Sequence, residues 1–319
     1  MAEDRSCAPV AVFVYKRKDY AEKTLSALRN NFLAEQTDLY IFSDGPKSEK
    51  DRQAVAEVQD FVRGFSAQGG FRSVHVNLAS DNRGLAFSII GGVTGLLDQF
   101  GRIIVAEDDL LTSRDYLTYM NDALDFYAAD ARIWSVSGYT PPLKGLSTWK
   151  QDVYFFYRAS SWGWATWKDR WDLVDWEMQD YESFVKDPAL VARLARGGSD
   201  MPGMLKQQME GEIDSWAIRW CYAQSRADML TVYPRISRVR NMGNDGSGTH
   251  TDAVASEFDT RLNEQYDACV FQEPALHNRL SGEFRLLYDA GVRGKLNRRC
   301  KRLKNHLQAK TGKAFPGKQ

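Results

Sequence analysis

The sequence predicts an α/β protein in which a largely parallel sheet is flanked by helices. Two observations carry this. Over the first 115 or so residues, short β-branched or aromatic runs alternate four times with segments of helical apolar spacing. The fourth run, Arg102-Ile-Ile-Val-Ala, delivers three consecutive carboxylates, Glu107, Asp108 and Asp109. A buried strand ending in acid places fixed charge at the carboxyl edge of a sheet, where open α/β folds bind ligands.

The elements follow in order. Residues 10–15 (Val-Ala-Val-Phe-Val-Tyr) read as a buried strand and 20–32 as a helix. A second strand at 39–42 is stopped by Ser43-Asp44-Gly45-Pro46, and a charged amphipathic helix spans about 50–65. The third strand, 71–76, leads through Asp81-Asn82-Arg83-Gly84 into a helix ending near Phe100, before the strand at 103–105. A helix over 116–129 and a strand over 134–137 follow.

Beyond Pro141-Pro142 the character changes. A strand at 153–157 precedes Ser160-Ser-Trp-Gly-Trp-Ala-Thr-Trp167, with three tryptophans in six residues. Trp167 reads as core, whereas Trp162 and Trp164 flank Gly163 and suit either a packed corner or a wall for a sugar or nucleobase. Further on stand Glu212-Ile-Asp214-Ser-Trp216, a strand at 230–233, and the glycine-, asparagine- and aspartate-rich stretch 241–250, the composition of an active-site lid.

Composition bounds the rest. At 319 residues, 43% hydrophobic and 26% charged, the chain is long enough for a large globular core. It has no apolar run near the roughly 20 residues that span a bilayer. The start lacks a charged-then-apolar signal. Cys7, Cys221, Cys269 and Cys300 have no framework spacing. Free thiols and a cytoplasmic location are expected.

The net charge of zero hides an asymmetry: residues 290–319 carry ten Lys/Arg and no Asp/Glu, which leaves −10 on residues 1–289. Leu296, Cys300, Leu303 and Leu307 would form one apolar stripe on a basic helix, the pattern of a segment lying on an anionic membrane surface. A solvated basic tail, or one that attracts nucleic acid, is the other interpretation. No zinc-finger spacing or RNA-binding motif supports nucleic acid.

The acidic triplet suits a divalent cation that neutralises a pyrophosphate. The plainer alternative makes Asp109 or Ser113 a helix cap. The order of features is more specific than any one of them: strand, Tyr15-Lys16-Arg17; strand, Ser43-Asp44; strand, Glu107-Asp108-Asp109; a Gly-Trp corner; an acidic Asp-x-Trp; and Pro234-Arg-Ile-Ser-Arg before the glycine-rich loop.

Over residues 10–250 this series resembles the GT-A glycosyltransferases, most closely the N-acetylglucosaminyltransferase I group with its Glu-Asp-Asp motif, in a bacterial-type member. The resemblance implies a GT-A (Rossmann-like) domain over residues 1–255, with a nucleotide-sugar half to about 140 and an acceptor half beyond. A helical, basic C-terminal extension would occupy 256–319.

It also implies roles. Arg17 would meet the nucleotide diphosphate, Asp44 would read uracil, and Glu107 and Asp108 would contact donor sugar and ribose. Arg83 is a further donor-binding candidate. Asp109 would be the direct ligand of Mn2+ (or Mg2+), with His250 either a further ligand or an ordinary polar contact. Asp214 would be the catalytic base, and Trp162, Trp164 and Trp216 the acceptor or sugar wall. Ile213 and Ser215 depart from the family's Trp-Asp-Asp-Trp segment.

The implied activity is inverting transfer of a sugar, N-acetylglucosamine from its UDP donor, onto a glycan or lipid-linked saccharide in capsule or lipopolysaccharide synthesis. It would take place at the inner face of a membrane. A non-catalytic carbohydrate-binding protein would keep the aromatic wall without needing both the triplet and Asp214. A sugar-phosphate nucleotidyltransferase should carry a glycine-rich loop after the first strand, where Lys16-Arg-Lys-Asp-Tyr20 stands instead.

Overall fold

The computed structural model describes residues 7–243, 258–289 and 291. The first half alternates as the sequence predicts: β1 (Val10–Val14), α1 (Lys18–Arg29), β2 (Asp38–Ser43), α2 (Arg52–Ser66), β3 (Ser73–Leu78), α3 (Leu85–Phe100) and β4 (Arg102–Glu107). A short strand β5 (Leu110–Thr112) and helix α4 (Tyr116–Phe126) follow, then β6 (Ile133–Ser137), β7 (Val153–Phe156) and β8 (Trp164–Trp167). The remainder holds α5 (Lys168–Trp171), α6 (Tyr181–Phe184), α7 (Pro188–Leu194), α8 (Met201–Met209), α9 (Trp216–Ala227), β9 (Leu230–Pro234), β10 (Val239–Asn241) and α10 (Asn278–Leu287).

Eight strands form one sheet in the order β3-β2-β1-β4-β8-β6-β9-β7. Strands β1 to β4 pair in parallel. Strand β8 runs antiparallel to both β4 and β6, β9 runs parallel to β6, and β7 runs antiparallel to β9. Six strands therefore share one direction and only β7 and β8 oppose it, so the sheet is mixed but largely parallel, as expected.

Such a sheet must be covered on both faces, and β1 shows how the sequence achieves it. All five of its residues are buried. Val10, Val12 and Val14 pack with the apolar stripes of α1 and α2 (Ala21, Leu25, Leu28; Val58, Val62, Phe65). Ala11 and Phe13 face the other way, into a core with Ile89 and Val93 of α3 and Ile218 of α9. A third cluster joins Tyr154, Phe156 and Tyr233 to Leu280 and Phe284 of α10, seating the 278–287 helix on the β7–β9 end of the sheet.

Several boundaries differ from expectation. The third strand runs 73–78, because Phe71 and Arg72 still belong to the turn, where the Arg72 amide donates to Thr37 O (3.0 Å). The helix at 116 ends at Phe126 rather than 129. Strand β8 was not anticipated: all four of its residues are buried, so it lacks the alternation that marks a half-exposed strand. Strands β5 and β10 form a separate antiparallel pair, Leu110 opposite Asn241.

Among the described residues, no helix is long and apolar enough to cross a membrane, and Cys7, Cys221 and Cys269 are free thiols. The stripe at 296–307, Cys300 and His250 lie outside the described residues.

Candidate active site

The strand order reverses between β1 and β4, since the chain runs 3-2-1 in one direction and continues at 4 on the other side of β1. At such a switch point the loops leaving the two strands diverge and open a crevice. Arg17 follows β1 and the acidic triplet begins at the last residue of β4, so the two groups flank that crevice.

They are in contact. Arg17 Nη2 donates to Asp108 Oδ1 and, at 2.8 Å, to Asp109 Oδ2. The three side chains are 20, 8 and 14% exposed respectively. Local structure fixes the turn beneath them. Thr24, a buried polar residue of α1, donates to Asp108 O (2.7 Å) and accepts from Leu110 N (3.1 Å), while Tyr15 N approaches Asp108 Oδ2 (3.4 Å). The helix-cap alternative is not realised: the turn leads into β5, and the residue at the N-cap of α4 is Asp115.

Burial opposes the charge on Arg17, but Asp108 and Asp109 outweigh it and raise its pKa further. Burial also pushes Asp108 up to about 6 in spite of Arg17. Burial, reinforced by Asp109 and Asp108, pushes Glu107 up to about 8. Three acids on one edge with one arginine leave unbalanced negative charge, which favours a cation.

The β5–β10 pair brings three residues from the start of the glycine-rich stretch onto this cluster, in contacts that the sequence did not show. Met242 N donates to Asp109 O (2.8 Å), Asn241 Nδ2 reaches Asp109 Oδ1 (3.4 Å), and Gly243 N donates to Asn241 Oδ1 (2.8 Å). A Cβ on Gly243 would stand 2.3 Å from Asp109 Oδ2 and 3.0 Å from Arg17 Nη1. The signal was present as the start of the glycine-rich stretch. What was not legible was the strand pairing that pins it to Asp109.

Among the described residues no three His, Cys, Asp or Glu side chains converge on one point. Asp109 and Asp108 offer hard carboxylate oxygens, the donor type of Mg2+ and Mn2+, which keep several waters and commonly take remaining ligands from phosphates. Arg17 Nη1 is buried with no partner among the described residues, a donor beside those carboxylates. Asp108 and Asp109 could together supply carboxylate oxygens to a divalent cation that takes its remaining ligands from elsewhere.

Asp44, at the end of β2, is half-buried, and its carboxylate accepts from Gly45 N (3.0 Å), Arg83 N (2.9 Å), Asn82 Nδ2 (3.0 Å) and Gly84 N (2.9 Å). Arg83 is exposed. Both residues line a cleft of about 400 Å³, bounded also by Phe42, Asn77, Leu78 and Phe87. Asp214 lies just before α9 with its side chain 60% exposed, 3.5 Å from Arg219 Nη2. A Cβ on Gly84 would stand 3.7 Å from Asp214 Oδ2, so Asp214 sits beside the loop that Asp44 holds. Ser215, the departure from the family segment, caps α9 through its hydroxyl, which accepts from Ile218 N (3.3 Å).

The aromatic wall needs correction. Trp164 and Trp216 are 1 and 3% exposed and stack on each other with ring centroids 5.1 Å apart, inside a cluster with Trp171 and Trp220. Their bulk fills the α3–α9 face of the sheet and presents no surface to a ligand. Trp162 is half-buried, edge-on to Tyr139 at 4.6 Å.

No family model and no curated protein matches the chain. Two solved structures of S. aureus TarS are similar to parts of it. The one of residues 1–349 aligns at 11% identity over 50% of this chain and 47% of that one, with a TM-score of 0.35. The other aligns at 12% identity over 40% of this chain and 21% of that one, with a TM-score of 0.28. The match thus spans less than half of either TarS chain, and at these scores it bears on no activity.

Proposed function

We propose that the chain is an inverting, metal-dependent glycosyltransferase. The observation that carries this is the cluster at the switch point: Arg17 bridging Asp108 and Asp109, with a buried unpartnered guanidinium nitrogen, and a separate exposed carboxylate, Asp214, beside the neighbouring loop. Transfer of a sugar from a nucleoside diphosphate needs charge neutralisation at the leaving group and a base at the attacking hydroxyl.

Each residue then has a task. Asp109, with Asp108, would hold Mn2+ or Mg2+, which when bound supplies Lewis-acid stabilisation of the departing diphosphate. Arg17 would donate to a diphosphate oxygen through Nη1, which has no partner among the described residues. Asp214 takes the proton of an acceptor hydroxyl as that oxygen bonds to the anomeric carbon and the bond from carbon to diphosphate oxygen breaks. One displacement of this kind inverts the anomeric centre.

The resemblance of the motif series points to UDP-N-acetylglucosamine as donor and a saccharide or lipid-linked saccharide as acceptor. The ten cations of the C-terminal 30 residues suit attachment to an anionic membrane near such an acceptor. The test is turnover of UDP-, GDP- and dTDP-sugars with Mn2+ by wild type, Asp109→Ala and Asp214→Asn. Metal-dependent release of one nucleotide, lost in both variants, is expected. A wild type that binds sugars while ignoring nucleotides and Mn2+ would make it a binding module.

A further inference from the structure

We propose that Asp44 is a positioning residue that clamps the loop beside the catalytic carboxylate, rather than the reader of the nucleobase. The inference rests on the glycosyltransferase assignment and assigns Asp44 a different role within it. An ionised carboxylate offers about four lone-pair sites. All are taken: Oδ1 by Gly45 N and Arg83 N, Oδ2 by Asn82 Nδ2 and Gly84 N, each at 2.9–3.0 Å. A base imino N–H could reach this carboxylate only by displacing a bond that holds the loop.

The junction is built for this use. Ala79 N donates to Ser43 O (2.9 Å), Gly45 N to Asp81 O (3.3 Å) and Asn82 Nδ2 to Gly45 O (2.8 Å), lacing the exits of β2 and β3 together. The two segments cross so closely that a Cβ on Gly45 would stand 2.5 Å from the Asp81 carbonyl carbon. The clamped loop ends at Gly84, whose φ of 83° only glycine adopts without strain. A Cβ built on Gly84 would stand 3.7 Å from Asp214 Oδ2, so the end of the clamped loop runs beside that carboxylate. Asp44 therefore lines the 400 Å³ cleft and, through Gly84 N, holds the backbone that passes beside Asp214.

The two roles separate in the balance of binding against turnover. Binding of UDP and CDP to wild type, Asp44→Asn and Gly84→Ala is measured by calorimetry, and kcat is measured against pH with the best donor. A positioning residue leaves the UDP-to-CDP preference within about twofold, lowers kcat by roughly tenfold or more, and moves the acid limb of the kcat profile. Gly84→Ala, which keeps the Asp44 carboxylate and strains the backbone it holds, reproduces the loss of kcat with the same base preference. Amide hydrogen exchange at Arg83 and Gly84 rises in Asp44→Asn.

If Asp44→Asn collapses the base preference by roughly tenfold or more while kcat holds, Asp44 reads the base and the proposal is overturned. If Asp44→Asn does not fold, an unchanged kcat in Gly84→Ala overturns it equally. A wild type that binds no nucleotide sinks the glycosyltransferase assignment and this proposal with it. An active wild type whose variants lose only base selectivity sinks this proposal alone.

Discussion

Arg17 occupies the position between Asp108 and Asp109 that a divalent cation would contest, so guanidinium and metal compete for the same oxygens. Under the proposed function, a diphosphate would resolve the competition by drawing Arg17 to itself. In the absence of nucleotide, Arg17→Gln should bind Mn2+ about tenfold more tightly than wild type, and should bind UDP more weakly. Electron paramagnetic resonance of free Mn2+ reads the first effect; unchanged or weaker Mn2+ binding would show that Arg17 does not contest the site. The same cluster sets a pH dependence. Asp108 and Glu107 have folded-state pKa values raised, to about 6 and about 8, above ordinary values of 3.8 and 4.5. Their protons are held more tightly in the folded chain than in the unfolded one. The stability they contribute is complete below the ordinary values and lost as pH rises through about 6 and about 8. With EDTA present, Tm should fall between pH 5 and 8.5, and Glu107→Gln should raise Tm at the upper end by about 3 °C. A variant that follows the wild-type curve would rule out Glu107 as the cause.

Elements bring these residues together, and how each does so decides what could be read from the sequence. The β-then-α alternation was legible because each buried strand is a short β-branched run and each helix carries an apolar stripe. Arg17, Asp44 and the triplet follow directly from it, since all stand just past the carboxyl ends of parallel strands. The β5–β10 pair was not legible. Three residues on each side give no periodicity, and their partners lie more than a hundred positions apart. Yet this pair lays Asn241, Met242 and Gly243 over Asp109. Its role is testable at Gly243, where a Cβ would crowd Asp109 Oδ2 at 2.3 Å. If Asp109 holds the cation as proposed, Gly243→Ala should fold with wild-type Tm but bind Mn2+·UDP roughly tenfold more weakly, because the added methyl takes the space beside Asp109 Oδ2. Wild-type affinity in calorimetry would mean that the carboxylate turns aside freely and that the clasp does not shape the site.

At the scale of the whole molecule, one edge of the sheet gathers the chemistry while its two faces are given over to packing. The tryptophan-rich stretch shows why composition misled: aromatic rings beside glycine suit a sugar wall and a core corner equally. Only the crossing of α9 over β8 decides that Trp164 and Trp216 are core. Charge is divided as sharply, with −10 on residues 1–289 and ten cations on the last 30. An anionic membrane repels the first part and attracts the second, each Lys or Arg near the surface contributing about 1 kcal/mol. Salt weakens both effects, because exposed charges decouple beyond a Debye length of about 8 Å at physiological salt, so attachment through the tail's charge should be lost as salt rises. The full chain should sediment with phosphatidylglycerol vesicles at low salt, release at high salt, and ignore phosphatidylcholine vesicles. Charge reversal at Arg298, Arg299, Lys301 and Arg302 to Glu removes eight units of charge difference from the tail and should abolish sedimentation without altering nucleotide release from a soluble acceptor reaction. Equal binding to neutral vesicles would assign the attachment to the apolar stripe, and no binding to either would leave the tail without a membrane role.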